Sequence, residues 1–283
     1  LSEREKDELF TIIERLKQQS LGLQKQRDDL LEAAGLLEIY RDDGHVCKRC
    51  EDTGYIGSTK CECFQKLLRE AAFDALGASH PQDCRFSNFS LDYYSPQPLA
   101  NGVVPRQRMA QVKNFCSDYA RDFFVERHSF SKAQSSPSLL FLGNTGLGKT
   151  HLSLAIAGQV INKGYGVIYG SAQNLLAKLE KEKFSFNNTE DQPQSYLSLV
   201  LECDLLILDD LGTEFLSQFV TAMLYNIINT RLLEGRPTII STNLSFQEIS
   251  KRYTDRLTSR LFGGYIHFEF LGRDIRIQSK IMG

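Results

Sequence analysis

The 283-residue sequence predicts an α/β protein, a parallel five-stranded sheet flanked by helices and preceded by a small helical, cysteine-bearing N-terminal region. Three observations carry this. From Ser138 onward, short apolar runs alternate with helical stretches, the pattern of a mainly parallel sheet covered on both faces. The first of these runs ends in a glycine-rich turn that opens a helix. Four of the seven cysteines fall within 17 positions in the first quarter of the chain.

The N-terminal region is taken as residues 1–80. Within 1–40, Leu9, Leu16, Leu23, Leu30 and Leu37 recur every seven positions, which predicts a helix with an apolar stripe. Gln19, Ser20, Gln26 and Arg27 interrupt a second apolar row, and Gly22 and Gly35 weaken the helix. The stripe suits either packing on its own domain or docking of a partner's helices. Residues 45–64 hold the cysteines, and 65–80 read as helix again. Residues 81–137 read as a Pro-, Ser- and aromatic-rich linker followed by a leading helix over 106–128.

The third stretch, 138–283, is the sheet domain. Strands are expected at Leu139–Leu142, Val167–Tyr169, Leu205–Leu208, Thr238–Ser241 and Tyr265–Phe270. Helices are expected at Lys149–Asn162, Gln173–Glu182, Ser217–Leu233 and around Arg252–Leu261. Residues 183–195 read as a polar loop insertion.

Bulk composition limits the function classes. With 42% hydrophobic residues and a formal charge of −2, the chain reads as globular and lacks the basic excess of a dedicated nucleic-acid binder. No apolar run reaches the ~18 residues of a membrane span, and no signal-peptide pattern opens the chain. Its start at Leu1 rather than Met reads as a trimmed N-terminus. Seven cysteines without a secretion signal suggest a reducing compartment, which points to the cytoplasm.

Gly143-Asn144-Thr145-Gly146-Leu147-Gly148-Lys149-Thr150 fits the phosphate-loop pattern G-x-x-x-x-G-K-[ST], between an expected strand and an expected helix. The glycines let successive backbone N–H groups point inward, and the helix N-terminus adds positive potential, so the loop can cradle a triphosphate such as ATP. Lys149 would face the β- and γ-phosphates, and the Thr150 hydroxyl would ligate Mg²⁺. Leu205-Leu-Ile-Leu-Asp209-Asp210 brings carboxylates to the end of an apolar strand, where open α/β sheets bind ligands. Asp209 is expected at Mg²⁺ and Asp210 as the group that orients the attacking water, with Glu214 a weaker candidate for that task. Asn243 closes the next strand and is expected near the γ-phosphate; an Asn there is also a common turn former.

Arg252, Arg256 and Arg260 are spaced by four, which would put them on one face of a single helix. That face is either plain solvated surface or the source of an arginine finger, Arg260, for a neighbouring subunit's ATP. Arg276, after the last strand, is a candidate for contact with the γ-phosphate of its own subunit. Cys47-Lys-Arg-Cys50 and Cys61-Glu-Cys63 suit tetrahedral structural Zn²⁺, with unliganded thiols or a redox disulfide as the alternatives. His45 could replace one sulfur. Cys84, Cys116 and Cys203 are dispersed and read as packed.

Taken together, these motifs resemble the AAA+ helicase loaders of the DnaC/DnaI type. The resemblance rests on the run from Gly148 through His151 to Leu152, on Leu205–Gly212, on Ser241-Thr242-Asn243, on Asp255–Leu261 and on Arg85–Phe89 followed by Asp92–Tyr94. It covers 85–283 well and 45–64 moderately, and it extends to the related IstB-like transposition helper ATPases. It implies an AAA+ P-loop ATPase that hydrolyses ATP, binds single-stranded DNA, assembles side by side with other copies and loads a DnaB-type replicative DNA helicase through its N-terminal region. It assigns the finger to Arg260, the sensor 2 position to Arg276, and a place near the nucleotide base to Arg85–Tyr94. Lys178, Lys181 and Lys183 are either DNA-facing or ordinary surface. A transposition helper, a small-molecule P-loop kinase and a nucleotide-gated binding module remain as other readings.

Overall fold

The computed structural model describes residues 18–20, 22–23, 25–35, 46–57, 59–75, 84–126, 135–184 and 195–282. The chain separates into two compact units, Leu1–Gln65 and Lys66–Gly283.

In the first unit, described residues between 18 and 33 are helical, and Leu23 and Leu30 of the heptad stripe are exposed. Leu9, Leu16, Leu37, Gly44 and His45 lie outside the described residues. The cysteine segment forms a two-stranded antiparallel ribbon, β1 (Tyr55–Ile56) and β2 (Thr59–Lys60), which leads into helix α1 (Glu62–Ala75). Gly54 and Gly57 adopt positive φ at the turns of this ribbon. A Cβ on Gly54 would press against Phe64, so glycine is needed there for space as well as for conformation.

The second unit is an α/β sandwich. After a short 3₁₀ turn at Phe86–Asn88 come α2 (Pro105–Asp122), β3 (Ser138–Leu142), α3 (Lys149–Asn162), β4 (Val167–Ser171), α4 (Ala172–Phe184) and α5 (Tyr196–Glu202). Then follow β5 (Leu205–Leu211), α6 (Gln218–Leu233), β6 (Thr238–Thr242), α7 (Phe246–Arg252), α8 (Asp255–Gly264), β7 (Tyr265–Glu269) and α9 (Ile275–Met282). The five strands pair in parallel in the order β4-β5-β6-β3-β7, which places β3 and its following loop next to β6 in the interior of the sheet.

Alternation along the strands builds two cores. Leu139, Phe141, Leu205, Ile207 and Ile239 face one side and pack with Met109, Val112 and Cys116 of α2 and Leu152, Ile156 and Val160 of α3. Leu140, Leu206, Leu208 and Ile240 face the other side and pack with α4, α6, α7 and α8 through Leu175, Leu224, Ile228, Ile249 and Leu257. The side-chain period of two therefore gives each central strand two buried faces.

Arg231 of α6 is fully buried, and its hydrogen-bond partners among the described residues are uncharged. Its guanidinium donates to the carbonyls of Val200, Leu201 and Cys203 at the end of α5, to the Pro237 carbonyl and to the Thr238 hydroxyl at the start of β6. It thereby satisfies the carbonyls that the last turn of a helix leaves without intrahelical donors.

The structure alters several sequence expectations. The helix expected around Arg252–Leu261 is two helices: Tyr253 ends α7, and the Thr254 side chain caps α8 by accepting from the Leu257 amide. Arg252 therefore lies on a different helix from Arg256 and Arg260, and the three do not share one helical face. Helices α5 and α9 were not expected. α2 stops at Asp122, because Phe123 leaves helical geometry and is buried in the core. Most of the polar insertion, 185–194, lies outside the described residues.

Candidate nucleotide site and cysteine cluster

β3 runs into the glycine-rich turn, and α3 starts at its last glycine. Gly143, Gly146 and Gly148 all take positive φ, and Gly148 is the left-handed N-cap of α3. A Cβ on Gly148 would come within 2.7 Å of the Phe89 ring, and one on Gly146 would collide with the Asp274 carboxylate. The loop is clasped from outside as well. The Tyr94 hydroxyl donates to the Leu147 carbonyl at 2.8 Å, and the Ile275 amide donates to the Gly146 carbonyl at 2.9 Å. His151 pairs its Nε2 with the Arg85 carbonyl at 2.9 Å and sets its ring edge-on to Phe89.

Lys149 is buried and donates from Nζ to the carbonyls of Gly143 and Asn144 and, at 2.7 Å, to Asn243 Oδ1. Burial pushes its pKa down, partly offset by the charges of Asp210 and Asp209. Thr150 Oγ1 donates to Asp209 Oδ2 at 2.8 Å. Asp209 is itself buried at the end of β5. Asp210 sits on a bulge between Leu208 and Leu211 in the β5–β6 pairing, with φ of 54°. That left-handed backbone is uncommon for a residue with a side chain, and it re-aims the carboxyl. Burial and then the neighbouring Asp209 push the Asp210 pKa up.

A cavity of about 320 Å³ is lined by Thr145 to His151, Asp210, Asn243, Ile275 and Arg276, together with Phe89 and Tyr93. The structure thus gathers Thr145, Gly146, Leu147, Gly148, Lys149, Thr150, His151, Asp210, Asn243 and Arg276 around one space, with Asp209 bonded to Thr150 behind it. Gly143 and Asn144 border the adjoining, larger cleft. Inward amides, an ammonium and a hydroxyl beside a buried carboxylate fit a triphosphate with a hard divalent cation such as Mg²⁺. Arg276 is largely exposed at the rim, beside Asp274 at 3.5 Å. Arg260 is exposed on α8 and is not among the lining residues. Glu214 does not serve the site: it is buried, accepts from the Tyr253 hydroxyl and the Gly212 amide, and pairs with Arg252.

Two residues at the site have roles that the sequence did not assign, although Ser241 lies in the Ser241-Thr242-Asn243 run. The Tyr169 hydroxyl donates to Asp209 Oδ2 at 2.9 Å, and the Ser241 hydroxyl donates to Asp209 Oδ1. The available signal was polar residues in otherwise apolar strands. Of the lysines considered for DNA, Lys178 lies over the Tyr196 ring at 5.1 Å and Lys183 over Phe219 at 4.8 Å.

In the first unit, the sulfurs of Cys47, Cys50, Cys61 and Cys63 all lie within 4.8 Å of one another. Cys47 to Cys61 is 3.7 Å and Cys50 to Cys63 is 3.3 Å. Tetrahedral zinc with bonds of ~2.3 Å would set its sulfurs about 3.8 Å apart, so the four residues fit that ion. Hydrogen bonds from the backbone at Arg49 and Cys50 bring the Cys47 pKa down to about 7, whereas the hydrogen bond with Cys50 and burial push that of Cys63 up to about 12. Asp52 accepts from the Val46 and Cys47 amides and closes the turn. Cys116 is buried in the core, and Cys84 and Cys203 are partly buried.

Comparison with known proteins bears on this geometry. Over 124 residues the chain is 27% identical to the replicative helicase loader DnaC of Escherichia coli, covering 44% of this chain and 49% of that protein. Over 148 residues it is 28% identical to the ATP-binding protein of insertion sequence IS5376 of Geobacillus stearothermophilus, covering 50% and 57%. The matched stretch spans about half the length of these curated relatives. A solved structure of the replication initiator DnaA, with AMPPCP and single-stranded DNA, aligns with a TM-score of 0.50 at 23% identity over 70% of this chain and 54% of that one, which shows the AAA+ fold. The family model for IstB-like ATP binding proteins matches residues 115–269, more than half of the chain and all of the phosphate site's loop and acidic strand. The protein belongs to the family of IstB-like ATP binding proteins.

Proposed function

We propose that the protein is an ATPase that loads a DnaB-type replicative helicase onto single-stranded DNA, using ATP and Mg²⁺ in the Lys66–Gly283 unit and engaging the helicase through the N-terminal region. The observation that supports a loader most directly is the separate cysteine-bearing unit ahead of the ATPase unit. A chain that only hydrolysed ATP would not need it. In this reading Gly143–Thr150 holds the phosphates, with His151 behind the loop. Thr150 and Asp209 hold Mg²⁺, Asp210 and Asn243 orient the attacking water, and Arg276 reads the γ-phosphate. Arg260 reaches a neighbouring copy's ATP, and its exposure leaves it available for that contact. Cys47, Cys50, Cys61 and Cys63 hold structural zinc. The setting is cytoplasmic; among the described residues no helix is long and apolar enough to cross a membrane.

A second reading is an ATPase that assembles on DNA to assist a transposase. It is favoured by the matching family and by the insertion-sequence relative. A pull-down from the source cell, with and without ATP, separates the two. Capture of the replicative helicase, lost in Lys149→Ala, supports loading; capture of a transposase alone reverses the assignment.

A further inference from the structure

Asp209 is held from three directions, and only one of its partners belongs to the phosphate loop. Thr150 and Tyr169 both donate to Oδ2, at 2.8 and 2.9 Å, and Ser241 donates to Oδ1. The parallel register pairs Tyr169 with Ile207 and Ser171 with Asp209. Tyr169 and Asp209 therefore project on the same face of neighbouring strands, and the long phenol reaches forward to the carboxylate. Ser241, fully buried on β6, has a second role. Its oxygen accepts from the Asp210 amide at 3.0 Å, where the β5–β6 pairing skips from Leu208 to Leu211. One hydroxyl thus fixes both the Asp209 carboxylate and the bulge that carries Asp210.

We propose that Tyr169 and Ser241 are positioning residues that set the Asp209 carboxylate for its divalent cation. The inference rests on the reading of Asp209 as the metal-holding residue and adds the two side chains that aim it. Thr150 lies on the phosphate loop and is the hydroxyl that would turn to the metal. Tyr169 and Ser241 come from strands and keep the carboxylate oriented as Thr150 does so. Hydrogen bonds to a charged acceptor in a buried site are strong and directional, and outer partners of metal ligands commonly change metal affinity by about ten- to a hundredfold.

The test is the Mg²⁺ dependence of binding of a fluorescent ATP analogue, with Asp209→Asn as benchmark. Tyr169→Phe and Ser241→Ala should each raise the Mg²⁺ concentration for half-maximal binding about tenfold. Affinity without Mg²⁺ should stay within about twofold of the parent, and Ser241→Thr should restore most of the loss. If Asp209→Asn shifts the Mg²⁺ dependence and neither hydroxyl variant does, the positioning role is overturned while the metal reading stands. If Asp209→Asn leaves it unmoved, the metal reading falls and takes this inference with it. A lowered melting temperature with unchanged Mg²⁺ dependence would mark the hydroxyls as purely structural and also overturn the proposal. Should Ser241→Ala not fold, Tyr169→Phe decides alone, because Phe keeps the ring and removes only the donor.

Discussion

In the N-terminal unit, Tyr55 and Ile56 of β1 are nearly half exposed, and the ribbon they form has two residues per strand. In the second unit, Leu205 to Leu208 of β5 are wholly buried between two helical layers. A ribbon of that size cannot bury enough apolar surface to order itself, since isolated hairpins are marginal in water. Four sulfurs brought within 4.8 Å are the alternative source of stability. The two units therefore fail in different ways: one should depend on an ion, the other on packing.

The largest expected effect is on the first unit. Chelation of zinc, or Cys50→Ser, should unfold it, because structural zinc contributes on the order of 10 kcal/mol to such modules. Proteolysis should then cut within 46–63 while nucleotide binding persists, and metal analysis should find about one zinc per chain beforehand. A metal-free protein with an intact, protease-resistant ribbon would erase the contrast. Next comes Arg260→Ala. It should retain nucleotide binding and lose hydrolysis by about a thousandfold, the low end for a finger in trans. Normal turnover of the variant at high protein concentration would show that the second unit works alone. The smallest effect is Leu224→Ala in the core of the second unit, at about 3 kcal/mol. Chemical denaturation should register that loss, with the zinc content unchanged. A matching loss of metal would mean that the units are not separately stabilised.

What the sequence made readable follows the same division. The three central strands were legible because buried parallel strands are continuous apolar runs, the partly exposed edge strands β4 and β7 from their shorter apolar starts, and all five ended within three residues of the expected positions. The phosphate loop was legible because its chemistry is contiguous. The cysteine positions could be read as one cluster for the same reason. Contacts that depend on strand register could not be read. Lys149 meets Asn243 across 94 positions, and Ser241 meets Asp209 across 32. Helix α5 was missed because seven residues carry too little periodicity, and its end is satisfied by Arg231, 28 or more positions away. The break after Arg252 was signalled by Thr254 followed by Asp255, a capping pattern that the regular arginine spacing obscured.

Arg231 has one more consequence. Burial pushes the Arg231 pKa down, but from the very high value of a guanidinium, so the knot it ties among α5, Pro237 and Thr238 does not loosen as the medium turns acidic. It sits where β5 and β6 begin, and Asp209 and Asn243 sit where those strands finish. The strands that carry Asp209 and Asn243 to the nucleotide site are thus tied together, at their opposite ends, by one buried side chain.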